Sequence, residues 1–437
     1  MKKYWDYKYS GFRWLGDIPS NWNILKMKYV ANLYTGNSLN DSQKEFFSRP
    51  TKEISLPYIA TKDINLEQST VNYDTGIYIP VSEHRFKTAK ANSTLLCVEG
   101  GSAGRKITYI DREVFFVNKL CCFDANINSR FLYYFLQSSP FKTIFKQSLQ
   151  GLIGGVSIST LNNISVPIPS KEEQAQIAEY LDRMVISISQ LIFSKEQQLA
   201  DISRYKTAII SEIVSRGVSP FDILKETGIS YIGSIPSHWQ CAPLKYFLRE
   251  NMTYGANESA ENDNRTFPRY IRITDITDEG NLRDETFKSL SPEKAKDYML
   301  APGDILFARS GATVGKAYLY RGGFDACYAG YLIRAKCSEK LLPEYLFLYT
   351  QTSMYETWKN SVYIQATIPN IGADKYSELR VLVPPIEEQK EIVAEAENRC
   401  TSINTLLTEL KAQIEDLYKY REAIISEVVT GQIDCRG

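Results

Sequence analysis

Apolar positions follow two different rhythms along the chain, and each rhythm occurs twice. Short β-branched and aromatic runs cut by Gly, Pro, Asn and Ser fill the first rhythm, as in Pro57–Thr61, Thr94–Val98, Asp304–Arg309 and Leu379–Val383. Such runs predict strands joined by turns. Between them, Ser129–Leu136 and Pro343–Thr350 predict short buried helices. The second rhythm starts after Pro169 and Pro385, where neither proline nor glycine recurs until Gly217 and Gly431. There Ile177, Leu181, Met184, Ile188 and Leu191 alternate at spacings of four and three. Ile403, Leu407, Leu410, Ile414, Leu417, Ile424 and Val428 do the same, with Arg421 in one slot. This is the heptad seam of a coiled coil. The first seam falters at Lys195–Gln198, and Ser170 with Glu173 has capping-box spacing at its start. At ~1.5 Å per residue, a helix of about 45 residues is roughly 65 Å long.

The repetition extends to the residues themselves. Gly11, Pro19 and Trp22 recur as Gly228, Pro236 and Trp239, and Lys28-Tyr29 as Lys245-Tyr246. Tyr58-Ile59 with Asp63-Ile64 returns as Tyr270-Ile271 with Asp275-Ile276. Phe131–Phe135 matches Tyr345–Tyr349, Glu172-Glu173-Gln174 matches Glu387-Glu388-Gln389, and Tyr205–Glu212 matches Tyr420–Glu427. Five blocks in one order make the chain a tandem duplication, which predicts a pseudo-two-fold object. The two long helices are expected to pair antiparallel, because a globular segment lies between them.

Composition narrows the class. The 437 residues carry 51 Lys+Arg against 51 Asp+Glu, with 43% hydrophobic residues, which fits a globular protein of two or three domains. No apolar run approaches the ~20 residues of a membrane span, and no apolar segment follows the basic start, so a cytoplasmic protein is expected. The eight cysteines include no Cys-x-x-Cys pair, which argues against a zinc ribbon or a disulfide framework. Charge is uneven: residues 1–170 are net +7, basic enough for nucleic acid, and residues 384–437 are net −5, better suited to a protein partner.

Catalytic chemistry is sparse. With only His84 and His238, 154 positions apart, most histidine-based catalysis is excluded, and no Gly-x-Ser-x-Gly elbow accompanies either. A glycine-rich loop occurs at matching places, Glu99–Lys106 and Arg309–Lys316. The second approaches a P-loop, but Ala317 stands where the Mg²⁺-ligating hydroxyl belongs. Glycines beside cations still allow a backbone to approach phosphate, so Gly101, Ser102, Arg105 and Lys106 are candidate DNA contacts. Arg309, Ser310, Thr313 and Lys316 are their counterparts in the second repeat. A tight turn between strands accounts for the same glycines. Lys62 and Arg272, beside the repeated Tyr-Ile blocks, join the candidates. Gln147, Gln150 and Ser157–Thr160 lie ahead of the first proline segment, with Tyr363, Gln365, Thr367 and Asn370 ahead of the second. Their side chains suit base edges, and Gln150, Ser157, Gln365, Thr367 and Asn370 are retained as candidates. No methyltransferase Asn-Pro-Pro-Tyr segment and no Gly-x-Gly-x-x-Gly turn is present.

Taken together, the Gly11–Trp22 and Gly228–Trp239 openings, the Arg309–Lys316 loop, the helix start at 384–392 and the helix end at Tyr420–Glu427 resemble the specificity subunits of type I restriction–modification systems. The resemblance implies an α+β architecture. Target-recognition domains of mixed α/β fold at 1–170 and 218–385 would be separated by helical spacers at 171–217 and 386–437, forming an antiparallel coiled coil. It implies that each domain reads half of a bipartite double-stranded DNA site and that the helices set the unread gap. The chain would be non-catalytic and bind no cofactor or metal. Two modification subunits and the restriction subunits would be its partners, using S-adenosylmethionine, ATP and Mg²⁺. The first glycine loop departs from the family pattern, so the role of Arg309 falls there to Arg105. A coiled-coil scaffold that binds only protein, a fused enzyme, and the specificity subunit of a related restriction class are the competing expectations.

Overall fold

The heptad rhythm becomes two continuous helices, Lys171–Arg216 and Ile386–Val429, in a computed structural model. The structure describes residues 2–50, 52–150, 154–219, 223–260, 262–364 and 370–436. The chain forms two compact units, and both helices contribute to both of them. One unit holds residues 1–196 and 411–437, the other residues 197–410. The four-part division read along the sequence therefore differs from the spatial one, in which each globular segment keeps the adjoining stretches of two helices.

Within the first unit the helices run antiparallel. Glu173 lies 3.7 Å from Arg436, while Lys195 donates to Gln413 at 2.7 Å and Tyr418 to Glu196 at 3.1 Å. Ile177, Leu181 and Ile188 are buried in one core with Ile424 and Val428, each worth roughly 1.5–3 kcal/mol. One seam assignment is corrected: Leu191 is 46% exposed and Ile192 is buried instead. A straight helix drifts about 20° per heptad, so the step after Ile188 becomes four residues. The polar break at Lys195–Gln198 falls where the two units divide.

Each globular segment carries the same antiparallel four-stranded sheet. In the first, Ala31–Thr35, Leu120–Ala125, Thr94–Cys97 and Ile107–Tyr109 form an antiparallel four-stranded sheet in that order. In the second, Thr253–Tyr254, Leu332–Lys336, Asp304–Ala308 and Ala317–Leu319 repeat it. A parallel pair follows in each, Tyr58 opposite Phe115 and Tyr270 opposite Cys327. The predicted short helices form at Ser129–Phe135 and Pro343–Tyr349, packed into the cores.

The helix starts explain part of the Glu-Glu-Gln repeat. Gln174 and Gln389 are buried, not solvated. Gln174 accepts from the Asn128 N–H and donates to the Pro169 carbonyl, both at 3.0 Å. Gln389 accepts from the Leu342 N–H at 2.7 Å and donates to the Lys340 and Pro384 carbonyls at 2.8 Å. Ser170 caps the Glu173 N–H, but the Glu173 carboxylate accepts from Tyr4 at 2.6 Å, so the capping box is half made. Substituting Gln389→Ala leaves the buried Pro384 carbonyl and the part-buried Leu342 N–H and Lys340 carbonyl without their partner, and should cost about 2 kcal/mol of second-unit stability, read by denaturant unfolding. A loss below about 1 kcal/mol would mean that water replaces the amide.

Candidate nucleic-acid interface

The glycine loops owe their composition to backbone geometry. Gly100 and Gly104 have φ of 85° and 71°, and Gly311 and Gly315 have φ of 71° and 85°. These are left-handed values open to glycine. Each loop joins two antiparallel strands, whereas a P-loop joins a strand to a helix, so the near-match at 309–316 is a turn.

The hydrogen bonds superimpose the two loops residue by residue. Gly104 donates to the Cys97 carbonyl and Gly315 to the Ala308 carbonyl, at 2.8 and 2.9 Å. Ala103 donates to Gly100 as Val314 does to Gly311. On this alignment Val98 stands where Arg309 stands. Val156 donates to the Val98 carbonyl at 3.0 Å, and Ile371 to the Arg309 carbonyl at 2.8 Å. The expectation that Arg105 takes over from Arg309 is thereby corrected. Arg105-Lys106 occupies the place of Lys316, with one extra residue before the return strand, and the buried Val98 leaves the first unit without an Arg309 equivalent.

In the second unit the Arg309 guanidinium lies 4.8 Å from the Tyr254 ring centroid, and its Nε donates to Asn370 Oδ1 at 3.3 Å. Ser310 bridges Asn370 through the backbone, and the Thr313 hydroxyl donates to the Ser310 carbonyl at 3.3 Å. Lys316 Nζ lies 2.7 Å from Asp278, whose side chain is 82% exposed. The lysine side chain itself is largely covered, at 21% exposed, and its ammonium reaches the surface beside this aspartate. Gln365 and Thr367 lie outside the described residues. Arg272 serves the scaffold: its Nε and Nη2 hold the buried Asp275 at 3.1 and 2.7 Å, and Nη2 also donates to the Thr286 carbonyl at 2.6 Å.

In the first unit Gly100 donates to the Gly154 carbonyl at 2.9 Å, and Gln150 exchanges two backbone hydrogen bonds with Gly155. The glycine loop, with Gly101 and Ser102, and the segment carrying exposed Gln150 therefore form one surface. Ser157 caps the helix Ile158–Asn162 by accepting from the Thr160 N–H at 3.1 Å. Lys106 Nζ donates to the Thr61 carbonyl at 2.7 Å, tying the loop to the turn that carries exposed Lys62. Arg105 is exposed.

Several positions outside the sequence motifs help set this surface. Gly36 and Gly255 admit no side chain, because a Cβ would stand 1.8 Å from the Phe116 carbonyl oxygen and 2.2 Å from that of Tyr328. The Tyr58 and Tyr270 hydroxyls donate to the Asn37 and Ala256 carbonyls at 2.8 and 2.7 Å, so the repeated Tyr-Ile block is a scaffold element. The Glu388 carboxylate, opposite Glu173 in the repeat, accepts from Trp239 Nε1 at 3.0 Å and pairs with His238 Nε2 at 2.9 Å. Burial pushes the Cys327 and Cys337 thiols up to about 12, far from a reactive thiolate. Among the described residues no group of His, Cys, Asp and Glu could hold a metal ion, and no helix is long and apolar enough to cross a membrane.

Known proteins share this plan. The chain is 22% identical to the EcoKI type I restriction enzyme specificity subunit of Escherichia coli (strain K12), over 96% of its length and 90% of the relative's. It is also 22% identical to the MjaVIII specificity subunit of Methanocaldococcus jannaschii, over 95% and 94%. A chain from a solved type I R-M system matches its fold with a TM-score of 0.64 at 14% identity, covering 95% of this chain and 99% of that one. The family model of the type I restriction modification DNA specificity domain matches twice, at residues 19–200 and 238–416. Two copies of that domain, on a scaffold repeated to the hydrogen bond, place the chain in the family of type I restriction–modification DNA specificity subunits.

Proposed function

We propose that this chain selects the DNA sequence on which a type I restriction–modification complex acts, and performs no chemistry itself. Each unit reads one half of a bipartite double-stranded site, and the paired helices fix the gap between halves. Two modification subunits using S-adenosylmethionine dock on it, and restriction subunits using ATP and Mg²⁺ join the full complex. One observation carries this reading: the two units repeat one loop scaffold but carry different side chains at matching positions, such as Arg309 where the first unit has the buried Val98. An object reading two unlike half-sites needs that combination. Footprinting of the chain assembled with its modification subunit should protect two short stretches separated by an unprotected gap. Protection that ignores sequence would contradict the proposal.

Cations common to both units suit the phosphate backbone, since base contacts specify and phosphate contacts position. Arg105 and Lys316 are such a pair. The double variant R105A/K316A should weaken binding of the assembled complex to all sequences alike. It should also reduce the slope of log K against log salt by about two, at roughly 0.9 per phosphate contact. A titration across salt concentrations reads this, and an altered recognition motif would assign the two residues to base reading instead.

A further inference from the structure

One corner of the scaffold carries a carboxamide in both units, but from opposite sides. In the first unit, Val117–Leu120 forms a turn in which Leu120 donates to the Val117 carbonyl at 3.0 Å, and Asn118 and Lys119 are its exposed central residues. In the second, Leu332 donates to the Ala329 carbonyl at 2.8 Å, and Gly330 and Tyr331 take those places. The facing segment is also equivalent. Asn37 donates to the Phe116 carbonyl and Ala256 to that of Tyr328, both at 2.9 Å, so Ser38 corresponds to Asn257. Ser38 Oγ donates to Asn118 Oδ1 at 2.6 Å. In the second unit the arrangement is exchanged: Asn257 Oδ1 stands 2.0 Å from where a Gly330 Cβ would be. Gly330 does not have the left-handed φ that would call for glycine. Its missing side chain instead makes room for Asn257. The corner accepts one carboxamide, and each repeat supplies it from a different strand end.

Both carboxamides keep hydrogen-bonding capacity. Asn257 is exposed. Asn118 retains its NH₂ and the second lone pair of Oδ1. An amide that donates and accepts side by side matches the N7 and N6 of adenine in the major groove. Asn257 also borders an open cleft of about 460 Å³, lined by Tyr331, Arg272 and Thr274 among others. The adjacent exposed residue differs, Lys119 in one unit and the 60%-exposed Tyr331 in the other, so the same carboxamide meets a different neighbour. Turn propensity alone does not account for the pattern, because it would place the asparagine within the turn both times.

We infer that Asn118 and Asn257 are specificity-determining residues, each reading an adenine in its own half-site, an assignment that rests on the DNA-specificity function proposed above. The test is the modification motif of the assembled complex, measured on a random-sequence DNA library. N118A should relax one adenine position in one half-motif, with discrimination falling about 10- to 100-fold, and leave the other half unchanged. N257A should do the converse. N257D, whose carboxylate only accepts, should shift that position from adenine toward cytosine. N118S and N257S carry the same prediction with a small polar side chain, should an alanine variant fail to assemble. A two-part wild-type motif that every variant leaves intact overturns this assignment alone, as does a rate that falls equally on all sequences. A wild-type complex with no two-part motif overturns the underlying function and this assignment with it.

Discussion

Replacing residues 2–170 with the corresponding segment of a relative that reads another sequence is expected to change one half of the modified motif and leave the other half and the gap unaltered. The cut falls just before the helix Lys171–Arg216, where Ser170 caps the Glu173 N–H. What the graft must preserve is a short set of contacts to the helices. Asn128 donates to Gln174, Tyr134 donates to Asp182 at 2.6 Å beside the Arg130–Asp182 ion pair, and the Ser139 N–H donates to Ser426 Oγ at 2.9 Å. The second unit repeats the last of these, with Ser353 donating to Ser211 Oγ at 2.9 Å. One docking arrangement therefore serves two different recognition segments within this protein. That is the structural precedent for exchanging one of them. Sequencing of modified bases gives the result directly, and a change in both half-motifs would show that the segments are not independent readers.

Lengthening both helices by seven residues, after Glu196 and after Leu410, should widen the gap in the motif by about three base pairs. Seven residues add about 10.5 Å, and base pairs stack roughly 3.4 Å apart. A whole heptad keeps the seam nearly in phase, which a four-residue insertion does not. The insertion point is where the two compact units divide, beside the polar contacts Lys195–Gln413 and Tyr418–Glu196, so neither apolar core is interrupted. Half-motifs should stay as they are. Lengthening only one helix leaves both cores intact but makes the two connections between the units unequal in length, so the gap should then fail to widen by the full step. An unchanged gap after the double insertion would mean that the helices do not measure it.

The features legible in the sequence were those written by periodicity and repetition. Two heptad runs free of Gly and Pro gave the long helices, and the duplicated blocks gave the two-unit plan. Leu191 was misplaced because a strict 3.5-residue repeat ignores the drift of a straight helix, which turns Ile192 inward. The candidate site was legible only in part. Glycine loops are visible as motifs, but their alignment depends on which carbonyl each N–H meets, and only that showed Val98 opposite Arg309. Arg272 looked like a free cation because its partner, the buried Asp275, can be recognised only once the turn is folded. Gln174 and Gln389 stand in the repeated Glu-Glu-Gln block, where the sequence does not distinguish a buried amide from the solvated carboxylates beside it. Asn118 and Asn257 sit at unequal places in the two repeats, so no comparison of sequence blocks could have matched them.

The most direct measurement is the modification pattern of genomic DNA from cells carrying the modification subunit with and without this chain. The account predicts a single asymmetric two-part motif, separated by a fixed unread gap, that vanishes when the chain is withdrawn. A pattern that persists without the chain, or one that appears only with it but spreads over unrelated sequences, would contradict it.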